Sequence, residues 1–230
     1  MRSDGDTATF VLIHGGGSSS WDWHLVAPRL RERGHDVVAV DLPIEDDANG
    51  LSEYADAVVA AVGDRPNVVV VGHSLGGFTA PIVCSRTAVE LMVLVTAMIP
   101  QPGESMGAWW SNTGHGDLGL AMDTEAQVFD LFMHDLPLDF AKEALRHARD
   151  QAGGKWDEPS PLEAWPDVPT RFLLTRDDRF FPPEFMRNVV ADRLGIVPDE
   201  IDGSHSVMLS RPDELADRLH RYWTDPADRD

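Results

Sequence analysis

Short, continuous apolar runs alternate along the chain with segments whose apolar positions recur every three or four places. Thr9 to Ile13, Asp36 to Val40, Val68 to Val71, Leu91 to Val95 and Thr170 to Thr175 read as strands, with a last short one near Ile196 to Ile201. Runs that are apolar at every position suit strands covered on both faces. The intervening segments read as helices. Trp21 to Arg33 carries Leu25, Val26 and Leu30 as its stripe and Gly34 just past its end. Ser52 to Val62 has Ser52 as its cap and Tyr54, Val58, Val59 and Val62 inward; Phe78 to about Arg86 and Pro212 to Trp223 follow the same logic. Strand–helix alternation predicts an α/β fold: a doubly wound, mainly parallel sheet of about six strands, beginning in the order 2-1-3-4-5 with right-handed crossovers.

The rhythm breaks between Pro100 and Pro169. This stretch is expected to be a helical cap inserted after the fourth strand of one domain spanning residues 1–230. Thr124-Glu125-Ala126-Gln127 has the form of a capping box. It opens a helix bearing Val128, Phe129, Leu131, Phe132 and Met133, and a second helix is expected from about Leu138 to Ala148. Trp109, Trp110, Trp156 and Trp165 fall in the same stretch. Bulky apolar side chains above a sheet edge suit an acyl or alcohol pocket, and equally suit simple burial of the cap against the body.

The 230 residues are 43% apolar, enough for a full core. The 39 acidic and 19 basic residues give a net charge of −20, which repels nucleic acid and anionic membranes. The small substrate expected is therefore not strongly anionic. Cys84 is the one cysteine, so no internal disulfide forms; it reads as a buried helix residue and not as a nucleophile. The start of the chain, Met1 to Asp6, is polar and the first apolar run is short, so no signal peptide or membrane span is expected and the reading is cytoplasmic. His115 and His134 lack partners at metal-ligand spacing; no metal and no cofactor are expected. Oligomeric state is not legible.

Three loops carry the candidate chemistry. Gly72-His73-Ser74-Leu75-Gly76-Gly77 joins an apolar strand to a helix, the setting of a nucleophile elbow. Such a turn strains the backbone of Ser74, lifts its hydroxyl clear of the sheet and leaves it near free helix N–H groups. The first strand runs into His14-Gly15-Gly16-Gly17, whose backbone N–H groups can face an oxyanion. In the predicted strand order this loop and the elbow are neighbours at the carboxyl edge of the sheet, where such folds bind ligands. An acid belongs just past the fifth strand, where Asp177 and Asp178 stand side by side; neighbouring side chains in an extended loop point apart, so one of them serves. His205 follows the last strand in a Gly-containing loop at the same edge. The order serine, acid, histidine is the one expected of a triad built on this topology.

These residues resemble the α/β-hydrolase superfamily over nearly the whole chain, Phe10 to Trp223. The stretches Phe10 to Gly17 with Trp21, Gly34 to Pro43 and Thr175 to Phe185 are similar to the small methylesterase and hydroxynitrile-lyase branch and its bacterial esterase relatives. In that branch the triad acid precedes a variable residue, two apolar residues and a proline-bearing Glu-Phe, which selects Asp178. The resemblance also implies the amides of Gly16 and Leu75 as oxyanion donors. Hydroxynitrile lyases of the branch have threonine after the first-loop histidine and lysine after the triad histidine, where this chain has Gly15 and Ser206.

The expected function is that of a serine carboxylesterase: Ser74, His205 and Asp178 as triad, and small or medium apolar esters as substrates. Gly15, Trp109, Phe129, Phe132 and Met133 are the candidate substrate-lining residues. A lyase on the same triad, an acyltransferase or lactonase, and a slow-turnover ligand sensor are the alternatives.

Overall fold

The computed structural model describes residues 7–225. The polar start read as lacking a leader, Met1 to Asp6, lies outside the described residues. Six strands form one all-parallel sheet in the order β2-β1-β3-β4-β5-β6. They are β1 (Thr9–Ile13), β2 (Asp36–Val40), β3 (Val68–His73), β4 (Leu91–Val95), β5 (Thr170–Thr175) and β6 (Asp199–Ile201). Every residue of β1, β3 and β4 is buried, as the continuous apolar runs require.

Successive strand side chains point to opposite faces, and each face has its own core. Val11, Ile13, Val68, Val70 and Leu94 pack under α2 (Leu51–Val62), α3 (Gly76–Arg86) and α7 (Pro183–Leu194). Phe10, Leu12, Val69, Val71 and Val93 pack under α1 (Val26–Glu32) and α8 (Pro212–Thr224). Cys84 lies buried in α3, and burial pushes its thiol up to about 12, which makes it inert as a nucleophile. The segment between β4 and β5 carries α4 (Met106–Asn112), a 3-10 turn at His115–Leu118, α5 (Glu125–Phe132) and α6 (Leu138–Arg146). The Thr124–Gln127 capping box forms at the start of α5. Among the described residues, no helix is long and apolar enough to cross a membrane.

Three elements differ from expectation. The helix expected over Trp21 to Arg33 divides into a 3-10 turn (Ser20–Trp23) and α1, because Pro28 fits only the first turn of a helix. α2 starts one residue early, with Gly50 as its N-cap in place of Ser52; the Glu53 carboxylate accepts the Gly50 N–H at 2.7 Å. β6 is three residues long, because Gly195 ends α7 in the left-handed region and Pro198 has no N–H for the ladder.

Candidate active site

The parallel register aligns the carboxyl ends of β1, β3 and β4: Ile13 pairs with Gly72, and His73 with Val95. The loops that leave these strands therefore open on one edge. At the β3–α3 turn Ser74 has φ +52, a conformation unfavourable for a side chain bearing a Cβ. The turn is locked from both sides, since the Ser74 carbonyl accepts the N–H groups of Gly77 at 3.0 Å and Met98 at 2.9 Å. Strand and helix approach too closely for larger residues. A Cβ on Gly72 would lie 2.9 Å from the Gly76 carbonyl oxygen, and one on Gly76 would lie 2.8 Å from that of His14.

Asp178, past β5, is buried and saturated with donors. Its Oδ1 accepts the N–H groups of Phe180 at 2.9 Å and Phe181 at 2.8 Å. Its Oδ2 accepts Thr96 Oγ1 at 2.5 Å, Thr175 Oγ1 at 3.3 Å and His205 Nδ1 at 2.8 Å. These five donors satisfy both carboxylate oxygens without water and fix the orientation of the group. Asp177 turns away: its Oδ2 accepts the Gly203 N–H at 3.0 Å and braces the loop that carries His205.

The His205 ring sits among Phe132, Phe180 and Phe181, with centroids 5.1, 5.3 and 5.1 Å away. Its Nδ1 faces Asp178, and its Nε2 has no hydrogen-bond partner among the described residues. His73 holds the loop from below, donating Nε2–H to the His205 carbonyl at 3.0 Å. Burial, with the nearby His205 second, holds His73 well below its ordinary pKa, so it is neutral. From the β4–β5 segment, the Phe132 carbonyl accepts the Ser206 N–H at 3.0 Å, and Asp135 Oδ2 accepts the Ser204 N–H at 3.1 Å.

The loop after β1 is shaped by His14. Its Nε2 accepts the Leu42 N–H at 3.1 Å, which leaves Nδ1–H to donate to the Gly15 carbonyl at 2.7 Å. A Cβ on Gly15 would lie 2.9 Å from Ser74 Cβ, and one on Gly16 would lie 3.0 Å from Leu75 Cδ2, so both glycines abut the elbow. The amides of Gly16 and Leu75 have no hydrogen-bond acceptor among the described residues.

A cavity of about 190 Å³ opens between these loops and the β4–β5 segment. Gly15, Gly16, Ser74 and His205 line it, as do Phe132 and Met133 from the segment above. Asp178 stands behind His205. Phe129 lies elsewhere, lining a separate surface depression with Leu136, Leu138 and Arg179. Trp109 is fully buried outside the cavity; its indole N–H donates to the Ile99 carbonyl at 3.1 Å, and its ring packs on Phe181 and Phe185. The expectation for Trp109 is therefore corrected: its rigid indole buries the β4–β5 segment against the body. Sequence reasoning missed Asp22, Val128, Ala144, Leu145 and Leu209 on the cavity wall, and Thr96 on the acid. Only Val128 carried a signal, as a member of the α5 apolar set.

The chain belongs to the alpha/beta hydrolase family, whose model matches residues 10–218. It is a hydrolase. Methylesterase 3 of Arabidopsis thaliana is 33% identical over 251 aligned positions, covering 89% of this chain and 92% of that protein. Polyneuridine aldehyde esterase of Rauvolfia serpentina is 24% identical over 248 positions, covering 90% and 92%. Among solved structures, a pyrethroid hydrolase from Sphingobium faniae JZ-2 superposes with a TM-score of 0.79 at 22% identity, covering 96% of this chain and 99% of that one.

Proposed function

We propose that this hydrolase cleaves carboxylic esters of small or medium apolar character through an acyl-enzyme on Ser74. The observation that carries the reading is the free Nε2 of His205, on the wall of the cavity that Ser74 also lines, with its other nitrogen on the Asp178 carboxylate. The names of the relatives, a methylesterase and an aldehyde esterase, support an ester bond as the target.

In this reading His205 Nε2 takes the proton as Ser74 Oγ attacks the ester carbonyl. Asp178 fixes the ring and stabilises the imidazolium. The amides of Gly16 and Leu75 receive the oxyanion, worth roughly 3 kcal/mol per donor in comparable sites. His205 then protonates the leaving alcohol, and water, deprotonated by the same nitrogen, releases the acid. Phe132, Met133 and Leu145 offer an apolar wall to the substrate, and a cavity of about 190 Å³ favours short chains. Lyase chemistry has no support from the loop after the histidine, where neutral Ser206 lines the cavity in place of a cation.

The test is hydrolysis of short p-nitrophenyl esters by wild type beside Ser74→Ala, with the first turnover resolved. The expected result is a burst equal to the active sites and a loss of at least about 10³-fold in the variant. Hydrolysis that survives Ser74→Ala would overturn the proposal.

A further inference from the structure

We propose that Asp22 makes the cavity selective for esters that carry an ammonium group near the reacting carbonyl. The inference rests on the esterase reading above and sharpens its substrate class. Asp22 belongs to the 3-10 turn at Ser20–Trp23 and lines the same cavity as Ser74 and His205. It takes no part in the triad. Its Oδ2 accepts the Ser18 hydroxyl, and its Oδ1 accepts no hydrogen bond from the described residues.

The surroundings leave this carboxylate short of partners. Among the described residues no lysine or arginine lines the cavity, and the charged or titratable side chains that bear on Asp22 are His205 and His147. The wall formed by Val128, Phe132, Ala144 and Leu145 is apolar. Burial pushes the carboxyl up to about 6, which still leaves it mostly ionised at neutral pH. A wholly apolar ester would strip the remaining water from this anion and return nothing. An ammonium would return both opposite charge and an N–H donor, while its hydrocarbon part covers the apolar wall. The net charge of −20 further draws cations to the molecule.

Two isosteric thioesters separate charge from shape: 2-(dimethylamino)ethyl thiobutyrate and 3-methylbutyl thiobutyrate, compared near pH 7, where the amine is protonated. In wild type, kcat/KM for the charged ester should exceed that for the neutral one by about tenfold, and Asp22→Asn should bring the ratio close to one. A ratio that Asp22→Asn leaves unchanged overturns the proposal; that is the result expected if Asp22 only supports His205 or the fold, because both esters then slow together. Calorimetry on Ser74→Ala, with Asp22 intact, needs neither turnover nor a stable Asp22 variant. Hexylammonium should bind about tenfold more tightly than 1-hexanol. Equal affinities overturn the cation site. Preferential hexylammonium binding by Ser74→Ala, with a wild type that hydrolyses neither thioester, would sink the esterase reading and leave the cation site standing.

Discussion

Thr96 donates its hydroxyl to Asp178 at 2.5 Å, on the same carboxylate oxygen that receives His205. Thr96 also has φ +37, a costly conformation for a β-branched residue, at the carboxyl end of β4. The hydrogen bond helps to hold the strained residue where it can orient the acid. Thr96→Ala should lower kcat by about tenfold, the scale of one hydrogen bond to a charged group, with KM nearly unchanged. Thr96→Ser should restore most of the rate, since it keeps the hydroxyl. Steady-state kinetics on the three proteins checks this; equal losses in Ala and Ser variants would point to backbone strain in place of positioning.

Acid should destabilise the fold through its buried neutral histidines. His73 and His14 are both held below 6.5 in the folded chain, with burial as the leading cause. Below about pH 6.5 the unfolded chain takes up protons that the folded one refuses. Stability is therefore full above that value and falls as the pH drops, by up to about 1.4 kcal/mol per pH unit for each histidine. Urea unfolding of His73→Gln between about pH 6.5 and 5 should show a slope shallower by roughly that amount.

Asp22 should work in the opposite sense. Its carboxyl rises from 3.8 to about 6 on folding, so the folded chain holds the proton more firmly. The penalty is present in full above about pH 6 and vanishes below the unfolded value. Two pH units correspond to about 3 kcal/mol, an upper figure for a half-buried group. Asp22→Asn should therefore raise the unfolding free energy by about 1–3 kcal/mol near pH 7.5 and by almost nothing near pH 3.5, measured by urea titration at both.

Two glycines of like chemistry should respond very differently to alanine. A Cβ on Gly77 would lie 2.0 Å from the Met98 carbonyl oxygen, deep in the elbow. Gly103 has φ +73 but nothing within 4 Å of the added carbon. Gly77→Ala should leave little folded protein, whereas Gly103→Ala should cost about 1 kcal/mol of left-handed strain. Thermal unfolding of the soluble fractions decides between them.

The sheet was legible in the sequence because buried parallel strands write themselves as unbroken apolar runs. Val68 to Val71 and Leu91 to Val95 leave no other reading. Helix ends were less so. Pro28 sets the start of α1, and that depends on a backbone clash that apolar spacing does not record. The loops bearing Ser74, the Asp177–Asp178 pair and His205 were found from the elbow motif and from positions past strand ends, the family resemblance selected Asp178, and the structure brings the three loops to one edge. Asp22 and Thr96 were missed for a common reason. Neither belongs to a motif or has a periodic partner, and its position against the cavity or the acid exists only after the chain folds. Trp109 failed in the other direction: a large aromatic above a sheet edge serves burial as readily as recognition, and here its indole N–H is spent on the Ile99 carbonyl.

The clasp between Phe132, Asp135 and the backbone of Ser204 and Ser206 ties cavity wall and histidine loop into one body. If the proposed esterase reading holds, specificity and reactivity should therefore not vary as independent modules in this chain. A chimera that borrows the β4–β5 segment from a relative inherits the relative's hold on the histidine loop as well. Redesign of the pocket succeeds when the two are transplanted together, or when the changes stop short of the turn from Phe132 to Asp135.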